Sequence, residues 1–157
     1  MASDQYYIID TCSLTKLRRD YPQAVFPSVW NFMSDLVADR TVESIEIVFD
    51  ELSVQAGDDV TAWAKERKQM FLPLDEAIQT KARDILSQFS NLIDLKKRKS
   101  GADPFVVAAA MVYECTVVTE EKKSGGPNKV KIPDVCEFYN IECITLIELL
   151  EQEGLNA

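Results

Sequence analysis

Apolar residues in this chain fall in short blocks whose period switches repeatedly between that of a strand and that of a helix. The run Tyr6–Ile9, closed by Asp10, has the length and continuity of a buried strand. Ser13 to Tyr21 predicts a short helix, stopped by Pro22. Pro27 opens a second helix, whose apolar stripe is Val29, Trp30, Phe32, Met33, Leu36 and Val37. In SIEIVF, Ile45, Ile47 and Phe49 alternate, which predicts a second strand. A helix is expected from Glu51 onward, interrupted near Gly57, with Asp58 or Asp59 capping its continuation through Trp63 and Lys68. EAIQTKARDILSQF predicts a helix from Asp75 to Phe89, and Leu92 to Leu95 a short strand or extended linker.

The second half repeats the alternation. Asp103 and Pro104 head an apolar helix, FVVAAAMVY, and Thr116 to Thr119 is a strand. Glu120 to Lys131, with Ser124, Gly125, Gly126 and Pro127, is a loop. Ile132 to Tyr139 is helical and Glu142 to Ile144 a last strand. Thr145 and Glu148 have capping-box spacing, opening a final helix that Gly154 ends. Strands alternating with helices predict an α/β fold: a mostly parallel sheet of four to five strands with helices on both faces. Such sheets carry their sites at the carboxyl ends of the strands.

The 157 residues suit one domain over 1–157, and 46% hydrophobic with 27% charged residues exclude a disordered chain. The longest apolar run, Phe105 to Tyr113, is too short to cross a bilayer. The start MASDQYY has no leader pattern, and the four cysteines form no C-x-x-C pair. Reduced thiols in a cytoplasmic protein are therefore expected. The chain has no histidine, which excludes Ser-His-Asp and Cys-His nucleophile systems and His-ligated zinc.

Carboxylates remain. Asp10 follows the first strand, Glu51 the expected second, and Glu120 and Glu121 the third, while Asp103 heads the helix leading into that third strand. Clustered carboxylates suit hard divalent cations, Mg²⁺ or Mn²⁺, which activate water and stabilise a leaving phosphoryl oxygen. Each acid also has a plainer explanation. Asp10 and Asp103 are N-cap candidates, Glu51 is favoured by a helix dipole and has Asp50 beside it, and Glu120 and Glu121 are ordinary loop charges. Net charge is −9, yet 14 of 17 bases fall in four clusters: Lys16, Arg18 and Arg19; Lys65, Arg67 and Lys68; Lys96, Lys97, Arg98 and Lys99; and Lys122, Lys123, Lys129 and Lys131. Each cluster alone reads as a solvated face; together they allow a positive rim.

The segments YIIDTCSL, FDEL, ADPFVVAAAMVYECTVVTEE and IECITLIELL resemble, in order and spacing along the whole chain, the motifs of the PIN-domain family. Tyr21, Pro22, Phe26, Pro27 and Trp30 resemble one bacterial PIN subfamily. The resemblance implies a three-layer α/β fold and a Mg²⁺- or Mn²⁺-dependent endoribonuclease of the VapBC toxin type, with an antitoxin partner and a homodimeric assembly. It puts the acid positions on Asp10, Glu51, Asp103 and Glu121, with Glu120 competing for the last, because Glu stands where the pattern has Asp. Cys12 stands where Asn is common, and the loop from Glu121 to Ile132 is long for the family. RNA would be held by Lys96, Lys97, Arg98, Lys99, Lys122 and Lys123, as single-stranded or loop RNA with unstacked bases.

Three other readings compete. A haloacid-dehalogenase-type phosphatase would need Asp at Cys12, and a receiver domain would need a phosphorylatable Asp after the third strand. A non-catalytic PIN-like scaffold that binds protein is the alternative from another class. The stripe around Trp30, Phe32 and Met33 would serve a partner or, by default, the core.

Overall fold

The computed structural model describes residues 5–55, 58–89, 102–123 and 130–155. The expected strand around Leu92–Leu95, the 96–99 basic cluster and Lys129 lie outside them. The chain runs β1 (Tyr7–Ile9), α1 (Thr11–Asp20), α2 (Pro27–Ala38), β2 (Val42–Ile45), α3 (Glu46–Gln55), α4 (Asp58–Lys65), a 3₁₀ turn (Lys68–Met70) and β3 (Phe71–Leu72). It continues with α5 (Glu76–Gln88), α6 (Asp103–Tyr113), β4 (Thr116–Val118), α7 (Ile132–Phe138), β5 (Cys143–Ile144) and α8 (Leu146–Gln152).

The five strands form one sheet in the order β3-β2-β1-β4-β5, and every pairing is parallel. Tyr7, Ile8 and Ile9 in the central strand are fully buried, as expected of a strand covered on both faces. On one side α6 lies across β1, β2 and β4 with α5 and α7 beside it; α1, α3 and α4 pack together, and α2 packs on β2. Residues Val106 to Ala110 of α6 are buried in succession, so this helix has no solvent face along that stretch. Its three consecutive alanines allow close approach to the sheet. Trp30 and Met33 are buried as well, the default reading of that stripe.

The expected second strand is displaced. Ile45 ends β2, and Ile47 and Phe49 belong to α3. Ile45, Val48 and Leu52 are fully buried at helical spacing, whereas Ile47 and Phe49 are only partly covered. The three–four period thus decides over the alternation it overlaps. The two-residue β3 is too short to leave a periodic trace. The helix α1 begins at Thr11 rather than Ser13, and α4 ends at Lys65, short of Lys68.

Three helices end in a left-handed residue that is not glycine: Arg40 (φ 61), Glu114 (φ 53) and Asn140 (φ 58). After each, the chain closes a Schellman bond, Thr41 N to Leu36 O (2.9 Å), Cys115 N to Ala110 O (3.1 Å) and Ile141 N to Cys136 O (2.8 Å). These turns feed β2, β4 and β5, so they line the amino edge of the sheet.

Candidate active site

Strand order reverses between β1 and β4: the chain moves outward through β2 and β3 on one side and through β5 on the other. The crevice outside the carboxyl ends of these two strands is the switch point at which open α/β sheets bind ligands. Asp10 leaves β1 there and Thr119 leaves β4.

Asp10 is the N-cap of α1, its Oδ1 accepting from Ser13 N at 2.9 Å. Its Oδ2 accepts from Cys12 Sγ at 3.0 Å. Burial pushes its carboxyl up to about 6, opposed by the bonds from Cys12, Thr119 and Ser13. Cys12 also stands 3.5 Å from Thr119 Oγ1 and accepts the Glu120 amide at 3.4 Å. Burial, and then the adjacent Asp10, drive this thiol well above its ordinary range, so it stays a neutral donor.

Glu51 does not follow a strand; it sits in the middle of α3. From there its half-buried carboxylate accepts from the Thr11 hydroxyl at 2.5 Å and from Ala102 N at 3.4 Å. One side chain thus ties the start of α1 to the start of α6, and burial raises its pKa. Asp103 is the first helical residue of α6, and Ala102 holds the cap position without a side-chain bond. Capping therefore does not account for Asp103. Its carboxyl is pushed up to about 9, first by burial, then by the charges of Glu121, Asp10 and Glu51, with Lys131 opposing. Three acids from three other segments act on this one group.

Glu120 and Glu121 part company. Glu120 accepts from Leu146 N at the start of α8 (2.9 Å) and pairs with Lys16 (3.5 Å). Glu121 accepts from Ile132 N at the start of α7 (3.1 Å), stands 3.8 Å from Lys131, and its amide donates to Thr119 Oγ1 (3.1 Å). Only Glu121 of the two bears on Asp103.

This donor set is all hard oxygen, and the mutual repulsion centred on Asp103 is what a divalent cation relieves, so the residues fit Mg²⁺ or Mn²⁺ in chemistry. A carboxylate has about four lone-pair sites, so one protein hydrogen bond leaves it able to ligate. Among the described residues no three acidic or thiol groups stand as a ready-made metal cage.

Residues 7–157 match the model of a family described as a domain of unknown function, DUF4411. The chain belongs to the DUF4411 family. No curated protein matches the sequence. Among solved structures, this DUF4411 chain is similar to FitAcB from Neisseria gonorrhoeae, with 15% identity, a TM-score of 0.51, and 88% of this chain and 96% of that one covered. A second is VapBC2 from Rickettsia felis, bound to a DNA fragment from their promoter, with 13% identity, a TM-score of 0.49, and 81% and 97% covered. At that identity the likeness establishes the PIN-like fold of this DUF4411 member.

Of the expected basic residues, Lys122 and Lys123 are exposed beside Glu121, and Lys123 pairs with Glu137 at 2.5 Å. Lys16 and Lys131 each reach an acid of the site, and Lys16 also pairs with Asp20 at 3.6 Å. Arg67 lies over the Trp63 ring at 4.8 Å and Lys68 over the Phe49 ring at 5.7 Å. Sequence reasoning missed the parts played by Thr11, Ser13 and Thr119, the donors and acceptor that orient the acids. Their only sequence signal is adjacency to Asp10 and Glu121. A cleft of about 420 Å³ opens beside Glu121, lined by Lys122, Lys123, Cys136, Cys143 and Thr145 among others. No helix among the described residues is long and apolar enough to cross a membrane.

Proposed function

We propose that this protein is a Mg²⁺- or Mn²⁺-dependent endoribonuclease, the toxin of a bacterial toxin–antitoxin pair. The observation that carries the reading is the convergence of Glu121, Asp10 and Glu51 on Asp103 at the switch point of a PIN-like sheet. Asp10, Glu51, Asp103 and Glu121 would hold the cation, which supplies charge neutralisation and water activation when bound. Cys12, Thr119 and Ser13 fix the Asp10 carboxylate, and Thr11 fixes Glu51. Thr119 also seats the Glu121 amide, and the Cys12 contacts with Thr119 and the Glu120 amide tie the two strand ends together before substrate arrives. Lys122 and Lys123, with Lys96 to Lys99, would hold the RNA backbone against a net charge of −9. The antitoxin is a protein partner covering this edge, and the active form is expected to be dimeric and cytoplasmic.

A second reading, a non-catalytic protein-binding scaffold, is favoured by one fact: the Glu51, Glu120 and Glu121 carboxylates already accept bonds from protein groups. Thermal melts with and without Mn²⁺, on the native chain and on Asp103→Asn, separate the two. A rise in Tm with Mn²⁺ that the variant loses, followed by Mn²⁺-dependent RNA cleavage, supports the nuclease. Indifference to Mn²⁺ in the native chain supports the scaffold.

A further inference from the structure

The chain has four free cysteines, and two of them line one cleft. α7 ends in the left-handed Asn140, where Asn140 N donates to Glu137 O at 3.2 Å and Ile141 N to Cys136 O at 2.8 Å. This double closure reverses the chain within a few residues of Cys136. β5 then starts at Cys143, held against β4 by the Val117–Cys143 pairing. The reversal sets the Cys136 thiol beside that of Cys143 on one cleft, close enough for the two to interact. Both line the cleft beside Glu121; Cys136 is fully buried, while Cys143 is half-buried and reachable through that cleft.

We propose that Cys136 and Cys143 are a redox-responsive dithiol that closes to an intramolecular disulfide under peroxide. Cys143 is the attacked thiol, because it is the more exposed of the two. Its sulfur takes one oxygen from peroxide, giving a sulfenic acid and one water. The Cys136 sulfur then displaces the hydroxyl, forming the S–S bond and releasing a second water. Two thiols lose two electrons and peroxide gains them, so the step balances. Full burial withholds Cys136 from peroxide until that second step, which sets the order of the two sulfurs. The remaining thiols have no such partner among the described residues. Cys12 is held by Asp10, and Cys115, at the junction of α6 and β4, is pushed up to about 12 by burial and Glu43. Cytoplasmic disulfides are usually transient and redox-sensing, which fits a reversible bridge.

The test is peptide mapping of the full chain after graded hydrogen peroxide at neutral pH, with free thiols then blocked by alkylation. The expected result is loss of two of the four alkylatable thiols and a peptide joining residues 136 and 143, lighter by two hydrogens. Dithiothreitol restores both thiols, and Cys115→Ser leaves the result unchanged. Cys143→Ser abolishes the bridge, and Cys136→Ser leaves Cys143 trapped as the sulfenic acid or its over-oxidised products. Sulfinic or sulfonic acid at Cys143 in the native chain without any bridge would overturn the proposal. So would a bridge from either residue to Cys12 or Cys115, or retention of all four thiols. The mapping uses neither Mn²⁺ nor RNA, so its outcome stands apart from the nuclease reading.

Discussion

The two edges of the sheet are built on opposite terms. At the amino edge, Arg40, Glu114 and Asn140 reverse the chain in strained left-handed conformations, each exposed and each held by backbone bonds. Strain there serves packing, because it lets each helix return at once to the sheet. At the carboxyl edge the strain is electrostatic: burial opposes the charges of Asp10, Glu51 and Asp103, and Glu121, Asp10 and Glu51 add their repulsion at Asp103. Conformational strain of this kind costs about 1–2 kcal/mol per residue and is local. Electrostatic strain is shared among several groups and can be relieved from outside by a cation. A fold that keeps both shows which edge is for architecture and which is for chemistry.

The carboxyl edge is most vulnerable at Asp103. Asp103→Asn is expected to reduce Mn²⁺-dependent RNA cleavage by on the order of 100-fold or more, read by gel assay, while raising the metal-free Tm. Glu121→Gln should weaken Mn²⁺ binding by roughly 10-fold or more, measured by calorimetry. pH sharpens the contrast. The Asp103 carboxyl rises from its ordinary 3.8 to about 9 on folding, and Asp10 to about 6. The native state therefore binds more protons than the unfolded one in between. Metal-free stability is fully present below the ordinary value and falls as pH rises, through both groups up to about 6 and through Asp103 up to about 9. Urea melts across that window should show the fall in the native chain and a shallower one in Asp103→Asn.

Smaller effects separate neighbours. Glu120→Gln should leave cleavage intact and destabilise the chain by about 1 kcal/mol, since the charged group at the start of α8 becomes neutral. At the amino edge, Glu114→Gly should raise the urea midpoint, gaining a few tenths of a kcal/mol: relief of the left-handed strain exceeds the added freedom of the unfolded chain.

Much of this was legible in the sequence where one physical signal stood alone. The apolar run before Asp10, the TVV strand and the Thr145–Glu148 capping box all appear where the pattern put them. Legibility failed where two signals overlapped. Ile45, Ile47 and Phe49 alternate, while Ile45, Val48 and Leu52 keep helical spacing, and only burial against the sheet decides between them. Glu51 reaches the crevice all the same, from within a helix rather than from a strand end. The choice between Glu120 and Glu121 was equally closed to sequence. It depends on which helix start each carboxylate meets, Leu146 or Ile132, and those amides arrive from far along the chain. The left-handed turns carried no glycine and so gave no sign.

The pairing of β1 with β4, Ile9 against Val118, spans most of the chain. Contacts so distant in sequence form late, because loop closure must precede any gain from pairing. During synthesis Asp10 and Glu51 leave the ribosome long before Asp103 and Glu121, and the strand that joins them comes between α6 and the last two helices. A nascent chain therefore carries the acids without the crevice. Whatever chemistry this edge performs is withheld until β4 and Glu121 have followed, a delay written into strand order.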